Sequence, residues 1–163
     1  MHSHHLERRM PDWPAAAASG FAAGAIVMVL ELLWTSIMAD SSPWIISRMV
    51  AAIVLGPDTM QQTSFSAGIV GVALATHYVL GIVFGVILAG IIAPFHFDSS
   101  AGMVLLTGAV FGLALYMFNF YGMVRFFSWF AEMRGLANMA SHLIFGMATA
   151  IMYWQLERRT PDK

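Results

Sequence analysis

Residues 65–92 read FSAGIVGVALATHYVLGIVFGVILAGII, twenty-eight positions without an Asp, Glu, Lys or Arg. A helix needs about 20 apolar residues to cross a bilayer, and this stretch exceeds that. Within it Ala73, His77, Gly81 and Gly85 step by four. Side chains four apart share one face of a helix. A later stretch carries the same stripe in Asn138, His142, Gly146 and Ala150. An ionisable group inside a membrane helix is expensive and by default marks a site, so His77 and His142 are the first candidates.

Three further segments reach spanning length. They run from about Ala15 to Met38, from Ala101 to Val124, and from Leu136 to Trp154. The reading is an all-α, polytopic membrane protein: a polar tail over 1–14, a four-helix transmembrane domain over 15–154, and a C-terminal tail over 155–163. Composition agrees. The 163 residues are 59% hydrophobic and 10% charged, with a mean hydropathy of +0.72. A soluble domain carries roughly 25% charged residues. A net charge of −1 gives no electrostatic reason to expect nucleic acid. The absence of Cys removes disulfides, thiolate metal sites and cysteine nucleophiles. The apolar run after Pro14 is too long for a signal-peptide core and reads as a retained span. His2, His4 and His5 read as part of a disordered tail.

The connections differ in character. In the long loop Asp40–Ser64, Ser42 suits an N-cap, Pro43 the first helical turn, and Gly56-Pro57 a stop. That helix is too short to span and is expected in the interface or tucked against the bundle. The loop near Pro94–Ser100 is short. The loop Arg125–Gly135 holds Phe126, Phe127, Trp129 and Phe130, rings that favour the headgroup level. Arg8, Arg9, Arg158, Arg159 and Lys163 lie on one side, against Arg48, Arg125 and Arg134 on the other. The positive-inside rule then puts both termini in the cytoplasm.

An internal repeat is also visible. Gly20, Gly24 and Glu31 of the first span recur in spacing as Gly108, Gly112 and Asn119 of the third. The second and fourth spans share the His-xxx-Gly stripe. Two similar hairpins related by an axis along the membrane normal are expected. Trp44 and Arg48 pair in the same way with Trp129 and Arg134.

The stretches Pro43-Trp44 through Gly56, His77 through Gly85, Gly108 through Gly122 and His142 through Gly146 carry a resemblance. The chain resembles the small four-helix bacterial inner-membrane proteins often labelled "sodium:proline symporter", and more distantly the YagU-like membrane proteins. The resemblance implies the fold and a bacterial inner membrane. It assigns no activity and no residue roles.

Counting along the spans gathers Glu31, His77, Asn119, Tyr121, Arg125, Asn138 and His142 as an interior polar network in the outer half of the bundle. Arg125 is expected to reach back toward Glu31, and Trp34 shares a helix face with Glu31. Four uses fit such a set. Interhelical bonds of this kind contribute about 0.6–2 kcal/mol and fix packing. His77 and His142 could ligate haem, with the following glycines leaving room for a macrocycle, or join Glu31 around iron. The titratable groups could relay protons or ions. Finally, Gly20-xxx-Gly24 and Gly108-xxx-Gly112 could face another subunit. The favoured expectation is a non-enzymatic accessory or structural subunit of a membrane assembly, without cofactor. A haem- or metal-binding protein is the alternative, and a small transporter the third. The expected partners are lipid, other membrane subunits or a second copy.

Overall fold

The computed structural model describes residues 9–37, 42 and 44–158. His2, His4, His5 and Pro43 lie outside the described residues. Four helices are long and apolar enough to cross a membrane: α1 (Trp13–Ile37), α3 (Ala67–Phe95), the segment Ala101–Arg125 that opens with α4 (Ala101–Met117), and α5 (Leu136–Glu157). A shorter helix, α2 (Ile45–Leu55), follows α1. The described residues contain no strand.

Local chemistry sets the helix ends. Asp12 Oδ1 accepts from the Ala15 N–H at 3.0 Å and starts α1 two residues ahead of the expected Ala15. Pro14 then falls in the first turn, where no N–H is needed. Ser66 and Ser100 cap α3 and α4 in the same way, at 3.4 and 3.2 Å. Pro94 deprives the Gly90 carbonyl of its donor. The helix stops one residue later, and His96 turns left-handed at φ 56°. Ser42 supports α2 from outside through its carbonyl, which accepts from the Ile45 N–H at 3.1 Å. Gly56, at φ 92°, closes α2 as expected.

α1 packs along both α3 and α5, and α4 packs along α5. α3 and α4 are joined by the short turn 96–100 yet meet only briefly. Two glycine contacts set the close pairs. A Cβ on Gly85 would lie 2.7 Å from the Ala16 carbonyl oxygen, and one on Gly81 2.9 Å from that of Gly20. In the other pair, a Cβ on Gly108 would lie 2.8 Å from Met147 Cα, and one on Gly112 2.9 Å from the His142 carbonyl carbon. These stripes therefore bury backbone against backbone inside the bundle. They leave no space for a macrocycle and do not face a partner, contrary to two of the sequence expectations.

Both ends of the bundle are tied. At the end that carries the termini, Arg9 bridges Asp98 at 2.7 Å and also pairs with Glu157. Glu157 first, then Asp98, hold the guanidinium charged even more firmly than usual. Tyr153 adds a hydrogen bond to Glu157 at 2.9 Å. The last turn of α5, the 96–100 turn and the N-terminal segment are thus fastened together. At the other end, hereafter the loop end, α2 lies against α3 through buried Ala51, Ile69 and Ala73. The aromatic loop folds inward. Trp129 and Phe130 pack with Met49, Ala52, Tyr116 and Phe120, and Trp129 Nε1 donates to the Met49 carbonyl at 3.2 Å. Only Phe126, 76% exposed, keeps the outward position expected of the set.

Gly112→Leu must displace backbone and is expected to destabilise the protein by at least the roughly 1–3 kcal/mol of ordinary overpacking. Gly71→Leu, where nothing lies within 4 Å of the new Cβ, should leave the melting temperature in detergent within a degree or two. Equal melting temperatures for the two variants would contradict the close α4–α5 contact.

Candidate functional site

A cavity of about 470 Å³ lies at the loop end, among all four long helices, with α2 and the aromatic loop over it. Glu31 comes from α1, His77 from α3, Asn119 from the segment after α4, and Ser141 and His142 from α5. The remaining wall is apolar and includes Phe84, Phe118, Phe120, Phe127, Phe130 and Phe145. A concave, mostly apolar site with a few converging polar groups is the usual form of a small-molecule pocket.

The histidines are held in opposite tautomers. His77 Nε2 lies 2.8 Å from the Gly24 carbonyl oxygen on α1. A carbonyl only accepts, so Nε2 carries the proton and, in the neutral ring, Nδ1 is left as an acceptor. A Cβ at Gly24 would stand 3.6 Å from His77 Nε2, in ordinary contact with the ring. His142 reverses the arrangement. Its Nδ1 donates to the Asn138 carbonyl, one turn back on α5, at 2.8 Å. Nε2 of the neutral ring is then the acceptor and takes the Asn119 Nδ2–H at 3.2 Å. The Tyr116 and Phe120 rings meet the imidazole edge-on at 5.9 and 5.2 Å.

Asn119 reaches His142 from a π turn, Phe118–Gly122, that continues α4. An α-helix advances about 100° per residue, so one extra residue in a turn re-aims everything after it. Such bulges concentrate at functional sites. Here Phe120 is buried and Tyr121 is turned out, 49% exposed. The widened turn is braced by Arg134, whose Nε donates to the Phe120 carbonyl at 2.7 Å while its guanidinium lies 4.3 Å from the Tyr121 ring centre. Gly135 N–H completes the brace by donating to Tyr116 Oη at 3.1 Å.

The structure thus brings together Glu31, His77, Asn119 and His142 on one cavity wall. Asn138 serves from behind: its carbonyl orients His142, and its side-chain amide donates to the Met133 carbonyl. Tyr121 and Arg125 are not part of the network. Tyr121 is stacked under Arg134, and Arg125 is exposed and makes no ion pair with Glu31 among the described residues. Ser141, next to His142 in sequence and carrying no pattern signal of its own, stands with Glu31 on the cavity wall. Trp34, 50% exposed, faces away.

A ligand set for metal does not form. Among the described residues no three His, Asp or Glu side chains gather around a common point. Both Nε2 atoms, the usual haem ligands, are already engaged. Beside the main cavity lies a smaller one of about 140 Å³. Its wall shares Glu31, Ile46, Val50 and His77 with the main cavity and adds Met28, Val29 and Leu32 of α1.

No known protein family, curated protein or solved structure matches the chain.

The hydrogen bonds fix an observable. In ¹⁵N-histidine NMR of the protein in nanodiscs, His77 should show a protonated Nε2 and His142 a protonated Nδ1. Asn119→Ala should leave the His77 signals in place and shift His142 Nε2. Two rings in the same tautomer would contradict this geometry.

Proposed function

We propose that this chain is a binding protein of the bacterial inner membrane, with both termini in the cytoplasm, that holds a small amphipathic molecule in the cavity at the loop end. The carrying observation is the cavity itself: about 470 Å³, four helices contributing, and one cluster of polar groups on an otherwise apolar wall. Ligand pockets typically measure about 300–1,000 Å³, so the space suits a single molecule of modest size. The paired glycine contacts, Gly20 on Gly81 and Gly108 on Gly146, support a two-hairpin repeat as its frame. The resemblance to small four-helix inner-membrane proteins supports the compartment.

Binding is favoured over conduction by what lies beyond the cavity. Toward the end that carries the termini, the core is Ala16, Leu88, Ile92, Val104, Ala150 and Tyr153, all buried. The hydroxyls there are turned to their own helices, Ser19 to the Ala16 carbonyl and Thr149 to that of Phe145. Ion passage needs polar groups to replace water along the route, and this half offers none in sequence with the cavity.

A second reading, an accessory subunit, draws on a different surface. Gly68, Gly71 and Ala75 of α3 are exposed on one helix face, where small residues would let another helix come close. Under that reading Gly71→Leu breaks an oligomer or complex in mild detergent while the chain itself stays folded. An unchanged hydrodynamic size would remove it.

The binding reading is tested with 1-aminoanthracene, an apolar ring system with one amine, titrated into protein in nanodiscs. Fluorescence should rise saturably above the partition seen in empty nanodiscs. Leu115→Trp, which fills the cavity from α4, should abolish the saturable part while the protein remains monodisperse. Linear partition alone in the wild type would overturn the reading.

A further inference from the structure

The formal charge of the cavity wall is one-sided, and it narrows the ligand class within the binding reading on which this step rests. Among the described residues, Glu31 is the only acidic residue on the wall, and no Arg or Lys lines it. The described basic residues of the loop end are not among the lining residues, although Arg48 is buried with its Nε and Nη1 unpaired. Arg134 lies over Tyr121, Arg125 is exposed, and Arg48 is buried off the cavity wall. The hydrogen-bond pattern adds acceptors. His77 spends its N–H on Gly24, leaving Nδ1. Asn119 directs one amide N–H to His142, leaving Oδ1 and the second N–H. Around these stand the six phenylalanines, whose ring faces carry negative charge density.

We propose that the cavity binds lipophilic organic cations, quaternary or protonated amines with an apolar body, using Glu31 as the counter-charge and the phenylalanine rings as a cage. The reasons are complementary. A carboxylate in an apolar site is unfavourable unless it is paired, and a bound cation supplies the pair. Aromatic faces attract quaternary ammonium groups by roughly 0.5–2 kcal/mol or more, depending on desolvation. A protonated amine can in addition donate to His77 Nδ1 and Asn119 Oδ1. An anionic head would meet the Glu31 carboxylate with no Arg or Lys among the described lining residues to hold it. A purely apolar molecule would leave Glu31 without a counter-charge.

The smaller cavity gives such a ligand a way in. Glu31 and His77 stand on both walls, and the α1 residues that complete the outer one, Val29 and Leu32, are 52% and 43% exposed. In a bilayer that surface meets lipid. A lipophilic cation dissolved in the membrane therefore reaches Glu31 sideways, between α1 and α3, without crossing the buried end of the bundle.

The test is competition for the 1-aminoanthracene site by an isosteric pair, phenyltrimethylammonium and neutral tert-butylbenzene. The cation should displace the probe at a concentration about tenfold or more below that of its neutral isostere, the factor expected of one cation–π and counter-charge contribution. Glu31→Gln should abolish that preference and leave tert-butylbenzene unchanged, whereas Glu31→Asp should keep it. If Glu31→Gln loses the saturable probe signal because it misfolds, the wild-type ratio and Glu31→Asp still decide. Equal displacement by the two isosteres overturns the cation assignment while the binding reading stands. Absence of saturable probe binding in the wild type overturns both.

Discussion

Everything at the loop end depends on how closely the helices can approach lower in the bundle. Gly20 and Gly81 on one pair, and Gly108, Gly112 and Gly146 on the other, let backbones touch where any side chain would hold them apart. In lipid there is little hydrophobic force between helices, so association rests on van der Waals contact and on polar bonds across the contact. The close approach of α1 and α3 at Gly20 and Gly81 brings the Gly24 carbonyl within reach of His77 Nε2 one turn along. The contact thus orients a site residue as well as stabilising the bundle.

The second constraint comes from the loop end. The π turn after α4 is an unfavourable backbone unless its altered carbonyls find donors. Arg134 supplies one at Phe120, and the Gly135 N–H meets Tyr116 beside it. Arg134 and Gly135 belong to the connection that also carries Trp129 and Phe130 over the cavity. The aromatic loop is therefore covalently and energetically linked to the aim of Asn119. Trp129 extends the link to α2 through the Met49 carbonyl. α2, the loop and the π turn act as one cover whose parts support one another. Loosening any of them both opens the cavity and misdirects the amide that holds His142.

The parts visible in the sequence are those governed by local rules. Long apolar runs set the four spans, and Gly56-Pro57 ended α2, because length and caps are properties of neighbouring residues. Asp12-Trp13-Pro14 was an equally readable start for α1, and hydropathy alone placed it two residues late. The shared stripes brought His77, His142, Glu31 and Asn119 forward because polar residues in spans are few. What stayed hidden depends on rotation about helix axes. The spans are apolar almost all round, so periodicity does not say which face turns inward. That is why no pattern marks Ser141, and why Tyr121 and Arg125 look interior from their positions along the spans alone. The π turn has no sequence signal of its own. It is set by Arg134, more than ten residues away and across a turn.

Two pairs of residues with matching sequence positions do different chemistry on the cavity wall, and that difference gives the cavity its character. Glu31 and Asn119 occupy corresponding places seven residues beyond a close-packed glycine. One places a carboxyl on the wall. The other uses its amide N–H to hold a histidine and turns an oxygen loose. His77 and His142 likewise occupy corresponding places, yet one spends its proton on a neighbouring helix and the other on its own. The cavity therefore presents one carboxyl and no Arg or Lys among its described lining residues, beside an amide and a hydroxyl that can each give or take a hydrogen bond.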